Sequence, residues 1–437
     1  MSNHFTRRQL LRNSALAGVA VWTSGRIGLG ADKSPNEKLN IACIGVGRRG
    51  SANVNGVVGT KENIVALCDV DQRVAAASYA KLPKAEKFID FRKMLDKIGN
   101  QIDAVVVSTP DHTHAPAAMM AMRMGKHCYC EKPMSNKLNE TRAMRELAKK
   151  NKLVTQLGTQ IHAGANYRRV VELVQAGAIG PVREVICWIG RKSPADGKNR
   201  DRPTDTPPVP KELDWDLWLG PAPYRPYHPC YCPGSWRGWW DFGNGTMGDF
   251  GCHFLDLPFW ALGLRYPTSA EASGTPPHPE SVARSIKCRW QFPARADAPP
   301  VKVSWHINHD LPEICQQEGI DKEKYAILFV GDKGLLAAHY GWHRLLPKDK
   351  FADYKRPEPT IPDSLGHHKE WTEACKTGGP TTCNFDYSGA LSETVLLGTV
   401  AYRTGKKLQW DAENLKATNC PEADKFINRT YRQGWTL

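Results

Sequence analysis

The feature that most constrains the fold of this chain is a glycine-rich segment directly after a short apolar run. The apolar run, Leu39–Ile44, is typical of a buried parallel strand. It continues into a G-x-G-x-x-G sequence built on Gly45, Gly47 and Gly50. The first glycine allows a tight turn, the second lets a pyrophosphate approach the backbone, and the third lets the next helix pack on the strand. The segment predicts a strand–turn–helix unit that binds a dinucleotide.

An acidic residue at the end of the next strand points to the kind of dinucleotide. The apolar run Ile64–Cys68 ends in Asp69, close to the ~20 residues after the motif at which a carboxylate meets the adenosine ribose. An acid there repels a 2′-phosphate, so NAD is the predicted cofactor, with Asp71 as the alternative acid. NADP remains an open alternative because three arginines lie near the motif in sequence: Arg48, Arg49 and Arg73.

Apolar strands and helices continue to alternate up to residue 160, which predicts a doubly wound α/β domain over residues 38–160. The further predicted strands are Phe88–Ile89, Ile102–Pro110, Gly125–Cys130 and Val154–Gln160, and the predicted helices are Pro116–Met124 and Asn139–Lys150. Ligands bind beyond the carboxyl ends of such strands. We therefore expect the following residues to lie near the cofactor: Ser108, Thr109, Pro110, His112 and His114.

Together these motifs resemble the Gfo/Idh/MocA (glucose–fructose oxidoreductase / inositol dehydrogenase) family. The resemblance rests on the glycine motif, Ser108-Thr109-Pro110 with its two histidines, Gly125-Lys126-His127, Glu131-Lys132-Pro133 and the segment ending at Gln160. It implies that Lys132 lies beside nicotinamide and substrate and that Pro133 follows a cis peptide bond. It also adds Arg48, Arg49, Glu131, Lys132, Pro133 and Gln160 to the predicted cofactor contacts.

The second half, residues 161–437, is predicted to be an α+β domain that binds substrate and supports oligomers. Alternating apolar and polar residues from Ala283 to Ile307, and a hairpin near Gly331–Gly334, predict an open, mostly antiparallel sheet. The resemblance to the family is looser here and runs through Trp215–Pro221 and Asp249–Asp256. Five of the 14 tryptophans lie between positions 215 and 240, so Arg237 and Trp239 are predicted to contact a sugar-like substrate.

Asp249 and His253 are predicted to supply chemistry to this half. In a helix they share a face, being four residues apart. Oxidation of a secondary alcohol needs a base for the hydroxyl proton, and histidine has a suitable pKa. The family resemblance implies that His253 is this base, with Asp249 as its partner and Lys132 stabilising the developing alkoxide. A metal held by His253, Asp249 and Asp256 is the weaker alternative, because the family needs none.

The N-terminal segment, residues 1–31, is predicted to be a twin-arginine-type export signal. Arg7 and Arg8 precede Leu10 and Leu11, and a short apolar run and small residues follow. Export to the periplasm or cell envelope removes the protein from any exchangeable nicotinamide pool, so we expect a tightly held cofactor. The predicted membrane involvement is limited to the export machinery.

The charge distribution and the cysteine spacing limit the classes of partner that the chain is predicted to bind. The formal charge is +14, but the basic residues are dispersed and no nucleic-acid motif accompanies them, so no nucleic-acid partner is predicted. The 13 cysteines lack the spacing of zinc or thioredoxin sites and are predicted to be mostly reduced. A small carbohydrate and further copies of this chain are the expected partners.

Three functions are compatible with the sequence. The first is an NAD-dependent oxidoreductase of a sugar, polyol or glycoside. The second is a glycoside-cleaving enzyme that oxidises, eliminates and re-reduces with no net redox change. The third is a carbohydrate-binding protein in which the dinucleotide is structural, which the joint presence of Lys132, Asp249 and His253 disfavours.

Overall fold

A computed structural model describes residues 38–190, 201–296 and 298–437. The predicted export signal at residues 1–31 lies outside the described residues. Among the residues that the structure describes, no helix is long and apolar enough to cross a membrane.

The first sheet is a six-stranded parallel sheet in the order β3-β2-β1-β4-β5-β6, the order of a Rossmann fold. This confirms the α/β class predicted for the first half. Its strands are β1 (Asn40–Ile44), β2 (Asn63–Cys68), β3 (Glu86–Phe88), β4 (Ala104–Val107), β5 (His127–Cys130) and β6 (Thr155–Leu157). Its helices are α1 (Arg49–Val58), α2 (Gln72–Lys81), α3 (Phe91–Ile98), α4 (Asp111–Arg123) and α5 (Leu138–Lys150).

Helix α4 starts five residues earlier than predicted and includes Pro116. Proline has no N–H and would leave the carbonyl of His112 without its helical partner. Arg429, far along the chain, donates to that carbonyl from a guanidinium nitrogen 2.9 Å away. The sequence pattern places the helix start at the proline because it contains no sign of this long-range partner.

The second sheet is nine-stranded and mostly antiparallel, in the order β13-β12-β11-β7-β10-β9-β8-β14-β15, with β7 and β10 parallel. This confirms the predicted open sheet. Its strands are β7 (Val182–Ile189), β8 (Ser269–Gly274), β9 (Ile286–Phe292), β10 (Val301–Ile307), β11 (Tyr325–Gly331), β12 (Gly334–His339), β13 (Trp342–Leu346), β14 (Leu408–Asp411) and β15 (Lys416–Ala417).

Seven helices accompany this sheet within the described ranges. They are α6 (Ala165–Gln175), α7 (Trp215–Leu219), α8 (Gly245–Leu262), α9 (Glu313–Gln317), α10 (His367–Thr377), α11 (Phe385–Thr404) and α12 (Asp424–Ile427). Two of them also complete the core of the first half: Trp371 of α10 and Phe385 of α11 are fully buried among Rossmann residues.

The outer face of the second sheet is partly covered by the chain itself. Cys315 and Ile320 pack on Ile186 and Trp188 of β7 and on Leu328 of β11. This part of the predicted open sheet is therefore buried in a small apolar core of its own. A homo-oligomer remains a prediction.

We expect the buried ion pair of Arg429 and Glu140 to contribute strongly to the stability of the fold. Their side chains are only 5% and 1% exposed, and the charged atoms lie 3.4 Å apart. Arg429→Met should lower the free energy of unfolding by ~3–5 kcal/mol, because it leaves a buried carboxylate without its charged partner. Denaturant titration measures this loss.

The matched control is Arg183→Met. Arg183 pairs with Asp332 at 2.8 Å, but both side chains are about half exposed. Exposed pairs contribute little, so this variant should unfold nearly as the parent does. Equal losses in the two variants would contradict the importance of burial.

Candidate active site

The glycine motif adopts the close packing that its sequence predicts. Gly45 has a φ of 76°, and a Cβ there would lie 2.7 Å from the backbone of Ser108. A Cβ on Gly47 would lie 2.6 Å from Val74, and one on Gly50 would lie 1.9 Å from the carbonyl oxygen of Gly45. Any side chain would therefore force the strand, the turn and helix α1 apart.

Asp69 holds this turn in place from the end of β2. One carboxylate oxygen accepts hydrogen bonds from the N–H groups of Val46 (2.8 Å) and Gly47 (3.1 Å). Burial raises the pKa of Asp69, and these backbone hydrogen bonds oppose the rise. Asp71, by contrast, forms a two-bond pair with Arg73 (2.8 and 2.6 Å). The two acids thus place negative charge where a 2′-phosphate would lie, which favours NAD.

A cleft of about 280 Å³ runs along the carboxyl ends of the parallel strands. Nine of the predicted cofactor residues line it: Gly45, Gly47, Arg48, Arg49, Asp69, Ser108, Thr109, Pro110 and Glu131. The tight glycine turn and the acid at the ribose position fit a dinucleotide laid across this cleft.

Other predicted cofactor residues do not line the cleft. His112 binds the carbonyl of Trp218 (3.0 Å). His114 bridges the carbonyls of Pro133 (2.8 Å) and Thr109 (2.8 Å). Both histidines are fully buried, so they shape the loops that face the cofactor and do not face it themselves.

Glu131 is the centre of a buried network below the cleft. It accepts hydrogen bonds from Arg49 (3.0 Å), Asn53 (2.9 Å) and Gln160 (2.7 Å). Burial alone would raise the pKa of Glu131, but the charges of Lys132 and Arg49 and these hydrogen bonds lower it to about 2. The network fixes the backbone that carries Lys132, and the Lys132–Pro133 peptide is cis, as the resemblance implied.

Lys132 and Asp249, 117 positions apart, form an ion pair at 2.8 Å. Arg237 approaches the same carboxylate oxygen, Oδ1, at 3.5 Å. Burial would raise the pKa of Asp249, but the charges of Arg237 and Lys132 hold it well below its usual range. The structure thus brings three of the predicted site residues together at the end of the cleft.

His253 lies one turn beyond Asp249 on α8, but no hydrogen bond joins the two side chains. Its Nδ1 is buried without a hydrogen-bond partner among the described residues, and Tyr340 packs edge-on at 6.4 Å. Burial, with Lys132 nearby, lowers the pKa of His253 to about 3, so the imidazole is neutral near pH 7. The predicted pairing of Asp249 with His253 is replaced by pairing with two cations.

Asp256, the third residue of the metal alternative, faces a different cluster. His162 binds both of its carboxylate oxygens (2.9 and 3.0 Å), and Tyr387 donates to it at 2.7 Å. His162, Asp256 and Cys383 are buried with ligand atoms within 4.8 Å of one another. Asp256 is therefore separated from Asp249 and His253 by its own partners.

Trp239 does not reach the site. It is fully buried in an aromatic core with Tyr231 and Phe242, where its Nε1 donates to the carbonyl of Cys230 (3.3 Å). The neighbouring Trp236 lines the cleft, with the guanidinium of Arg237 4.2 Å from its ring centroid. Of these two tryptophans, Trp239 packs in the aromatic core and Trp236 lines the cleft.

Sequence reasoning missed Asp111, the first residue of α4. It is fully buried and accepts a hydrogen bond from Arg237 at 2.9 Å, and its other oxygen has no hydrogen-bond partner in the part of the chain that the structure describes. Burial raises its pKa to about 7, against the opposing charges of Arg237 and Lys132. An acid in the first helical turn after Pro110 was the available signal, because that turn begins at the ligand-binding edge.

Comparison with known proteins identifies the family. Residues 39–159 match the model described as oxidoreductase family, NAD-binding Rossmann fold, and residues 167–295 match its C-terminal alpha/beta domain. The chain belongs to the Gfo/Idh/MocA oxidoreductase family. The first half of this Gfo/Idh/MocA protein is accordingly the NAD-binding domain of the family, and the cleft lies at the carboxyl edge of its sheet.

Individual relatives match this Gfo/Idh/MocA protein less completely. A "Glycosyl hydrolase family 109 protein" from Saccharopolyspora erythraea is 29% identical over 209 residues, 41% of this chain and 45% of the relative. An "Alpha-N-acetylgalactosaminidase" from Shewanella oneidensis is 27% identical over 36% of each chain. The matched region is therefore less than half of either curated relative.

The fold also matches solved structures. The WlbA dehydrogenase from Bordetella pertussis, solved with NADH and UDP-GlcNAcA, has a TM-score of 0.61 and 16% identity. The similarity covers 86% of this chain and 99% of that one. At this identity the likeness shows a shared fold.

The buried carboxyl of Asp111 should make stability depend on pH. Because folding raises its pKa from 3.8 to about 7, its contribution is fully present below pH 3.8 and is lost as pH rises to about 7. The free energy of unfolding of the parent minus that of Asp111→Asn should fall over this range. The expected change is on the order of a few kcal/mol.

Asp332→Asn is the control of opposite sign. Arg183 lowers the pKa of Asp332, so the contribution of this carboxylate is present at higher pH and is lost as pH falls through the lowered value. Denaturant titrations between pH 4 and 8 measure the Asp111 difference, and titrations extended below pH 4 measure the loss at Asp332. A flat difference for Asp111→Asn would show that this carboxyl ionises as it does in the unfolded chain.

Proposed function

We propose that this protein cleaves a glycoside by a redox-neutral cycle of hydride removal, elimination, hydration and hydride return. The observation that carries the proposal is the convergence of Lys132, Arg237 and Asp249 at the end of the NAD cleft, one helical turn from His253. The partial similarity to family 109 glycosyl hydrolases supports cleavage over net oxidation.

The residues have separate parts in this cycle. NAD, when bound, would supply hydride-accepting and hydride-returning chemistry at a secondary carbinol carbon of the sugar. The neutral imidazole of His253 takes the hydroxyl proton as the hydride leaves. The ammonium of Lys132 stabilises negative charge on that oxygen, and Asp249 keeps the ammonium oriented.

The remaining steps balance without an external oxidant. The new ketone acidifies the neighbouring C–H, whose proton passes to a base of the site. The bond from the anomeric carbon to the aglycone oxygen then breaks, and the aglycone leaves as an alcohol with one proton. Water adds across the resulting double bond, and return of hydride and proton restores the secondary alcohol. The sum is glycoside plus water giving sugar plus alcohol.

A cofactor that returns its hydride to the same substrate has no need to leave. Arg48 packs against Gly234 across the cleft, where a Cβ would lie 2.7 Å from the guanidinium. Loop residues 232–234 thus cover the pyrophosphate turn, which supports a tightly held NAD. This arrangement also suits export by the twin-arginine route, which we retain as part of the proposal.

A net sugar or polyol dehydrogenase is the second candidate. It is favoured by the same hydride-transfer site, which is complete without any group dedicated to the leaving aglycone. The third possibility, a carbohydrate-binding protein with structural NAD, predicts binding with no turnover.

A panel of aryl glycosides separates these functions. We expect purified protein to release the aryl alcohol, at a rate unaffected by added NAD, while absorbance at the NADH wavelength shows no net increase. Stoichiometric NADH with added NAD would indicate the dehydrogenase. Saturable sugar binding without release of aryl alcohol or NADH would indicate the carbohydrate-binding protein.

His253→Ala should reduce turnover by ~10²–10⁴-fold, because the catalytic base is lost. It should keep the bound dinucleotide, because the glycine turn is unchanged. His278→Ala is the matched control, since His278 binds the N–H groups of Glu280 and Ser281 outside the cleft. Rates are measured with the best glycoside of the panel. Unimpaired turnover in His253→Ala would remove histidine from the mechanism.

A further inference from the structure

The end of the cleft farthest from Lys132 lies beyond strands β2 and β3. Val70, Ile89 and Phe91, which follow those strands, line it. In a sheet of this order the adenosine part of a dinucleotide binds beyond the second strand. This end of the cleft is therefore the adenosine end.

The outer wall of the adenosine end comes from the second half of the chain. It consists of Leu217 and Trp218 of α7 together with Trp435. Trp435 is 8% exposed, its ring centroid is 6.0 Å from that of Phe91, and the guanidinium of Arg92 lies 4.4 Å from it. The indole of Trp435 thus packs on Phe91 and Arg92, which follow β3.

Trp435 belongs to an extended segment, residues 428–437, which we name the C-terminal strap. Within these described residues there is no helix or strand. Its first part is anchored in the interior by Arg429, which donates to the carbonyls of His112 (2.9 Å) and Asp241 (2.8 Å). Its anchor is therefore buried.

The distal part of the strap is held by contacts nearer the surface. Arg432 pairs with Asp216, whose side chain is 67% exposed, and donates to the carbonyl of Gly220 at 3.1 Å. Arg92 donates to the carbonyl of Gly434 at 3.5 Å. Tyr431, Trp435 and Leu437 of this part also pack on the apolar core of the Rossmann half. The distal part is therefore tied to the residues around the cleft by contacts separate from the Arg429 anchor.

We propose that the C-terminal strap covers the adenosine part of the bound dinucleotide and controls its release, with Trp435 as the closing side chain. This inference rests on the proposed function in one respect: the cleft must hold a nicotinamide dinucleotide. It identifies the part of the protein that keeps the cofactor bound through successive turnovers.

The test is the rate of NADH release from the full chain. Protein is loaded with NADH, mixed with excess NAD, and the loss of protein-enhanced NADH fluorescence is followed. Trp435→Ala should release NADH at least about tenfold faster than the parent, since losing a buried aromatic anchor acts mainly on dissociation. Trp410→Ala is the matched control, because Trp410 is also 8% exposed but lies on β14 of the second sheet.

A second variant guards against a folding defect in Trp435→Ala. Arg432→Gln removes the ion pair to Asp216 and leaves the indole in the chain. It should also speed NADH release, by less than Trp435→Ala, with glycoside turnover retained when NAD is saturating. Release at the parental rate in both variants overturns the proposal.

The outcomes separate this inference from the proposed function. Net NADH production from glycosides would overturn redox-neutral cleavage, while faster release in both variants would still support the strap. A parent protein that binds no NADH would overturn both. Equal acceleration in Trp410→Ala would show a general loss of stability and would overturn the specific role of Trp435.

Discussion

The ion pair between Lys132 and Asp249 joins the two halves of the molecule where the NAD cleft ends. Lys132 comes from the loop after β5 of the parallel sheet and Asp249 from helix α8 of the second half. Placing such charges in a poorly solvated site is costly unless partners surround them. Arg237 on one side of Asp249 and the Glu131 network beside Lys132 supply those partners.

The rest of the structure can be understood as support for this contact. Helix α8 is held beyond Asp249 by a contact between its Asp256 and His162. His162 lies two residues after Gln160 in the sequence. Gln160 in turn donates to Glu131, the neighbour of Lys132. A short segment after β6 therefore holds both the helix with Asp249 and the loop with Lys132. Their relative position does not depend on the ion pair alone.

The second half of the chain also lines the cleft. Residues 232–234 lie over the glycine turn, and Trp435 lies at the end of the cleft beyond β2 and β3. Segments from outside the Rossmann domain thus form one wall of the cleft. Closing a site in this way excludes water from the reacting groups.

The sequence by itself determined the Rossmann half and its glycine turn, while the place of Lys132 was implied by the family resemblance. The first two follow from short-range patterns: apolar strands, closely spaced glycines after the first of them, and an acid one strand later. Only the tertiary structure decided that Asp249 turns to Lys132 and Arg237 and away from His253, that Asp111 joins them, and that Trp239 is core. Those outcomes depend on which distant segments meet, and the periodicity of a sequence records the burial of a residue but not the identity of its partner.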